Sequence, residues 1–149
     1  DEYKISQEKL YRALLVSNLL AIHQKKYIGK LSAFCGAVST GYACGAAITY
    51  MLGGNFNQIA NTIINTLANT SGIICDGAKP SCAAKISSAL DAALLAHTMS
   101  MHDDVFHADE GIVKDDLEKT IRAVGYIGRE GMKSTDIEVL NIMIDKVCP

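Results

Sequence analysis

Apolar positions recur at helical spacing along most of the chain. Leu10, Leu14, Leu15, Leu19 and Ile22 fall on one side of a helix predicted over 3–28, with Glu8, Lys9, Arg12, Gln24 and Lys25 elsewhere on its surface. Gly29 is its predicted stop. Residues 36–52 predict a second helix built almost wholly of small side chains and closed by Gly53-Gly54. Asn55 is a natural cap for a third helix over 56–70, whose apolar face is Ile59, Ile63, Ile64 and Leu67. Ser71 to Pro80 reads as a loop around an Asp76-Gly77 turn, and Pro80 opens a fourth helix over 80–101. After a polar connection at 102–114, a fifth helix covers 115–128, with Asp115, Asp116 and Glu118 near its positive end. Gly128 and Gly131 flank a turn, and Ser134-Thr135-Asp136 opens a sixth helix over 135–146. Runs that alternate apolar and polar residues are scarce, which argues against a β-rich fold. The expected fold is therefore all-α: one domain over 1–149, a bundle of about six helices, with the small-residue helices 36–52 and 80–101 packed closely at its centre.

Composition narrows the function classes. The 149 residues are 49% hydrophobic and 20% charged, a globular balance, with six Tyr, three Phe and no Trp. The net charge is −2 and no basic run exceeds Lys25-Lys26, so nucleic acid is not an expected partner. Leu31 to Leu52 carries no charge and is long enough for a membrane span. Gly, Ala, Ser, Thr and Cys dominate it, however, and a helix buried on all sides of a bundle is the better reading. No membrane partner is expected, and no charged-then-apolar leader opens the chain. Five cysteines, an odd count without the spread of a disulfide framework, fit a reducing, cytoplasmic location.

Cys35, Cys75 and Cys82 stand apart from Cys44 and Cys148. Cys35 lies at the start of the small-residue helix, Cys75 in the glycine-containing loop, and Cys82 in the first turn after Pro80. Helix N-termini stabilise thiolates, and three soft thiolates suit an iron–sulfur cluster or zinc. The C-x6-C spacing is not that of common zinc sites or ferredoxins. Cysteines also behave as small buried apolar residues, so the residues by themselves leave both readings open.

The segment SGIICDGAKPSCAAKISS (71–88) resembles the signature of the L-cysteine desulfidase and L-serine dehydratase alpha-chain group, including related uncharacterised proteins; its pattern is C-D-G-A-K-x-x-C-A-x-K. SAFCGAVSTGYACGAAITYMLGG (32–54), DEGIVKDDLEKTI (109–121) and GYIGREGMKSTDIEVLNIM (125–143) extend the likeness over most of the chain beyond residue 30. The resemblance implies a 4Fe-4S cluster on Cys35, Cys75 and Cys82, with one iron left open as a Lewis acid. It implies a lyase acting on a small amino acid: L-cysteine to pyruvate, ammonia and sulfide, or the matching dehydration of L-serine. An open-iron cluster is lost in air, so an aerobically prepared sample is expected to lack it. Members of the group are longer, and this chain resembles their C-terminal part. The missing N-terminal half, or a partner chain, is then needed for turnover, and the fragment alone is expected to be inactive. A homo-oligomer is compatible with this reading.

Other residues are weighed against plainer roles. Cys148, by resemblance to a C-terminal cysteine of some serine dehydratases, is a candidate fourth ligand; a mobile tail thiol is the alternative. Cys44, mid-helix beside Gly45, reads as core. Lys79 is a candidate for the substrate carboxylate and Asp76 for orienting a cluster ligand, against a solvated charge and a turn former. His97, His102 and His107 do not share one helical face, and a solvated loop explains them better than metal. Arg122 and Arg129 read as packing or surface pairing. Two further functional classes compete: a cluster-free helical assembly or regulatory domain, and a zinc-binding structural domain, which needs a fourth, closed ligand.

Overall fold

Ser6 caps the first helix by accepting a hydrogen bond from the Lys9 N–H at 3.2 Å, so α1 runs Gln7–Ile28. The computed structural model describes residues 4–147. In chain order after α1 come the single turn α2 (Gly36–Ser39), α3 (Gly41–Met51), α4 (Phe56–Thr70), α5 (Cys82–Met101), α6 (Leu117–Tyr126), a π turn (Ile127–Gly131) and α7 (Lys133–Met143). Six of these are longer helices, as the apolar spacing predicts. Among the described residues no helix is long and apolar enough to cross a membrane.

Two predicted helices are interrupted. The expected 36–52 helix breaks at Thr40 because Ser39 Oγ and Thr40 Oγ1 donate to the Gly36 and Ala37 carbonyls, at 2.9 and 2.8 Å, and compete with the helical ladder. The expected 115–128 helix ends at Tyr126 and winds into the π turn, where the Met132 N–H reaches the Ile127 carbonyl at 2.9 Å. The third helix has the expected bounds, and Asn55 and Gln58 close a capping box at its start.

The small-residue helices do pack at the centre. A Cβ on Gly41 would stand 3.0 Å from Ala89 Cβ, and one on Gly45 3.1 Å from both Ala93 Cβ and Thr62 Cγ2. Only a residue without a side chain allows this approach of α3 to α5. Around the seam lie Ile28, Tyr42, Ile63, Leu67, Ile121 and Val124. Asn65 ties down the polar connection: its Nδ2 donates to the Asp104 carbonyl and its Oδ1 accepts from the Phe106 N–H, both at 3.0 Å.

The α1 face is reversed from expectation. Leu10, Leu14, Leu15, Leu19 and Ile22 are 41–64% exposed. The buried side is Ala13, Gln24 and Ile28, with Leu20 and Ala21 partly buried. Helix α7 buries none of its residues, and Ile137 and Leu140 lie open on it.

Candidate functional site

The segment after α1 is anchored by Ser32, whose hydroxyl donates to the Gly128 carbonyl and accepts from the Phe34 N–H at 2.9 Å. Phe34 then pairs antiparallel with Ile74. The Cys35 N–H donates to the Ile73 carbonyl at 3.1 Å and the Cys75 N–H to the Ala33 carbonyl at 2.6 Å. Alternation across such a pair puts Cys35 and Cys75 on one face and Phe34 and Ile74 on the other. Packing agrees: Cys35 and Cys75 share a cluster with Val38 and Ala89, while Phe34 joins the main core. Diagonal neighbours on paired strands stand about 7–8 Å apart, within reach of one shared group. Cys35 is buried, whereas Cys75 is half-buried.

Cys82 is the first residue of α5 and is also half-buried. Its sulfur accepts from the Lys79 N–H and its thiol donates to the Gly77 carbonyl, each at 3.5 Å. Gly77 has φ +89°, and a Cβ there would lie 3.1 Å from Met143 Cε, so the end of α7 rests against this loop.

Asp76 lies between two lysines, forming ion pairs with Lys79 and Lys85. Their hydrogen bonds, Lys79 first, pull its carboxyl down to about 2. Lys85 also donates to the Ile74 carbonyl at 2.9 Å. The bond to Asp76 raises its pKa; burial works against this, and charge on Cys35 and Cys82 adds to the rise. Lys85 thus ties α5 to the loop that carries Cys75 and Asp76. In the sequence it is the closing lysine of the 71–88 motif, three residues after Cys82 and one helical turn along α5, with no role assigned to it there.

The remaining candidates separate. Cys44 is exposed, 3.9 Å from Ser17 Oγ, and is not core, because α3 buries the residues on either side of it and turns this one outward. Cys148 lies outside the described residues. His97 Nδ1 is 2.9 Å from Thr49 Oγ1, and burial lowers its pKa. His102 ends α5, and His107 lies in the following connection. Among the described residues, no three His, Cys, Asp or Glu side chains close around a point for one metal ion. That leaves the zinc reading without an assembled site. A four-iron cluster makes a different demand, because its three cysteines would each bind a different iron instead of converging on one ion.

A second polar group also went unread. Tyr27 Oη donates to Glu118 Oε1 and His23 Nε2 contacts Oε2, both at 2.7 Å, while Arg122 Nε donates to Oε1 at 3.1 Å. Burial raises the Glu118 pKa, but the bonds from Tyr27, His23 and Arg122 outweigh it and lower it overall. The group borders an open groove of about 760 Å³ lined by Tyr27, Lys114, Lys119, Arg122, Tyr126 and Arg129. Its sequence signal is weak: two pairs at i,i+4 on helices far apart in the chain.

Comparison with known proteins agrees with the resemblance read from residues 71–88. Similar proteins include a UPF0597 protein of Treponema denticola, 60% identical over 143 residues (96% of this chain, 33% of that protein), and one of Finegoldia magna, 52% identical over 146 residues (98% and 35%). A UPF0597 protein of Lachnoclostridium phytofermentans is 55% identical over 141 residues (95% and 34%). The chain therefore spans about a third of the length of the curated relatives it matches. No solved structure is significantly similar. The sequence model described as serine dehydratase alpha chain matches residues 1–141, and the chain belongs to that family.

Proposed function

We propose that this chain is the cofactor-binding part of an iron–sulfur lyase that eliminates sulfide or water from L-cysteine or L-serine. The observation that carries the reading is the Phe34–Ile74 pairing, which sets Cys35 and Cys75 on one face beside the loop that leads to Cys82. The donor set fits a 4Fe-4S group: soft thiols on three separate elements, one buried and two half-open toward solvent. Cys35, Cys75 and Cys82 would hold it, and the chemistry it supplies when bound is Lewis acidity toward a leaving hydroxyl or sulfur. Such a group and its reduced thiols suit the cytoplasm.

The chain's own residues divide the other tasks. Asp76 stays ionised to about 2 and is committed to two lysines, so it orients them and is a poor acceptor for an α-proton near neutrality. Lys79, the more exposed of the two, presents its ammonium at the rim of the loop, where a substrate carboxylate can reach it. The proton-transfer group then comes from sequence that the relatives carry beyond the matched third, or from a partner chain. The exposed leucines of α1 are the surface on which that remainder packs.

The test is pyruvate release from L-serine and from L-cysteine, measured anaerobically on a polypeptide that joins this segment to the flanking sequence of its relatives. The reading predicts turnover of at least one substrate and its loss in Cys75→Ser. No pyruvate from a folded, iron-loaded polypeptide would instead favour a helical assembly role.

A further inference from the structure

We propose that Lys85 is the positioning and charge-setting residue of the three-thiol site, holding a fixed positive charge against the loop that carries Cys75, one helical turn beyond Cys82. The inference rests on the iron–sulfur reading above and names what tunes the group. Two contacts pin the ammonium: the Ile74 carbonyl at 2.9 Å and the Asp76 carboxylate. Ile74 is the residue paired with Phe34, and both Cys75 and Asp76 follow it directly, so one lysine braces the loop on which Cys75 sits. Its side chain is 21% exposed against 44% for Lys79, so water screens its charge less.

Three cysteinates and a four-iron core are anionic in either redox state, and more so when reduced. A nearby fixed cation stabilises the reduced form more than the oxidised one, and so raises the reduction potential. Lys79 shares Asp76 but lies further into solvent, so it exerts a smaller effect.

The experiment compares the parent chain with Lys85→Gln, Lys85→Arg and Lys79→Gln. Helical content is checked first by circular dichroism. Each is then reconstituted anaerobically with iron and sulfide, and its midpoint potential is measured. Lys85→Gln is expected to lower the equilibrium constant for one-electron reduction about tenfold, a midpoint about 59 mV more negative. Lys85→Arg stays near the parent and Lys79→Gln shifts less than Lys85→Gln. A Lys85→Gln protein that is helical but takes no cluster, while Lys85→Arg takes one, also supports the proposal. An unchanged potential in fully loaded Lys85→Gln overturns it, and so does an equal shift in Lys85→Arg, which would trace the effect to shape instead of charge. No uptake by the folded parent is a different failure and removes the iron–sulfur reading itself.

Discussion

At the scale of single residues, Asp76 makes a pH-dependent prediction. Its folded pKa lies below the ordinary carboxylate value, so its ion pairs contribute stability that is present above about 4 and lost as pH falls through about 2. In urea unfolding of the cluster-free chain, the advantage of the parent over Asp76→Asn should therefore be constant from pH 7 to 5 and disappear between pH 4 and 2. An advantage that persists at pH 2 would contradict the pairing. Tyr42 offers a second case. It is 1% exposed, burial raises its pKa, and its hydroxyl donates to the Leu20 carbonyl on α1. Tyr42→Phe should cost about 1 kcal/mol in thermal or urea unfolding. Legibility at this scale followed residue type. Cys35, Cys75 and Cys82 are candidates by residue type, because few side chains bind soft metals, and the turn at Asp76-Gly77 could be read from its dipeptide. Lys85 closes the 71–88 motif, but its role is not legible there, because that role comes from partners nine and eleven residues away, one of them a backbone carbonyl. Cys44 was misread for the opposite reason: composition marks its helix as buried, and only the helix rotation shows that this position points outward.

At the scale of elements, helical spacing located the six long helices and missed what hydroxyl side chains do to the backbone, at Thr40 above all. The α3–α5 seam was legible as a stripe of small residues, and it predicts a mutational cost. Gly45→Val would drive methyl groups into Ala93 and Thr62 and should destabilise by about 1–3 kcal/mol in chemical denaturation, despite the better helix propensity of valine. The α1 error is informative. Its inward face is built of Ala13, Ala21 and Gln24, which count little by hydrophobicity, while its outward face carries leucines. A pattern reading takes the more apolar face as core. Here the closely packed inner face is made of small and polar side chains, and the leucines lie on the open face.

At the scale of the whole molecule, the exposed apolar faces and the relatives' threefold greater length point the same way. Leu15→Gln combined with Leu19→Gln removes two side chains that are 62% and 64% exposed. The double variant should unfold within about 0.5 kcal/mol of the parent chain. In the longer polypeptide the same pair should lower stability and turnover, and a large loss in the isolated chain would show that α1 buries this face within the domain. The helical fold was legible because each segment carries its own periodicity; the pairing that brings Cys35 beside Cys75 was not, because the contact that joins 34 to 74 leaves no local pattern. The central claim is that Cys35, Cys75 and Cys82 hold a 4Fe-4S group. Its most direct test is iron and acid-labile sulfide per chain after anaerobic reconstitution, for the parent, Cys75→Ser and Cys44→Ser. The account predicts about four irons in the parent and in Cys44→Ser, with loss in Cys75→Ser. No specific uptake by the folded parent, or equal uptake by Cys75→Ser, would contradict it.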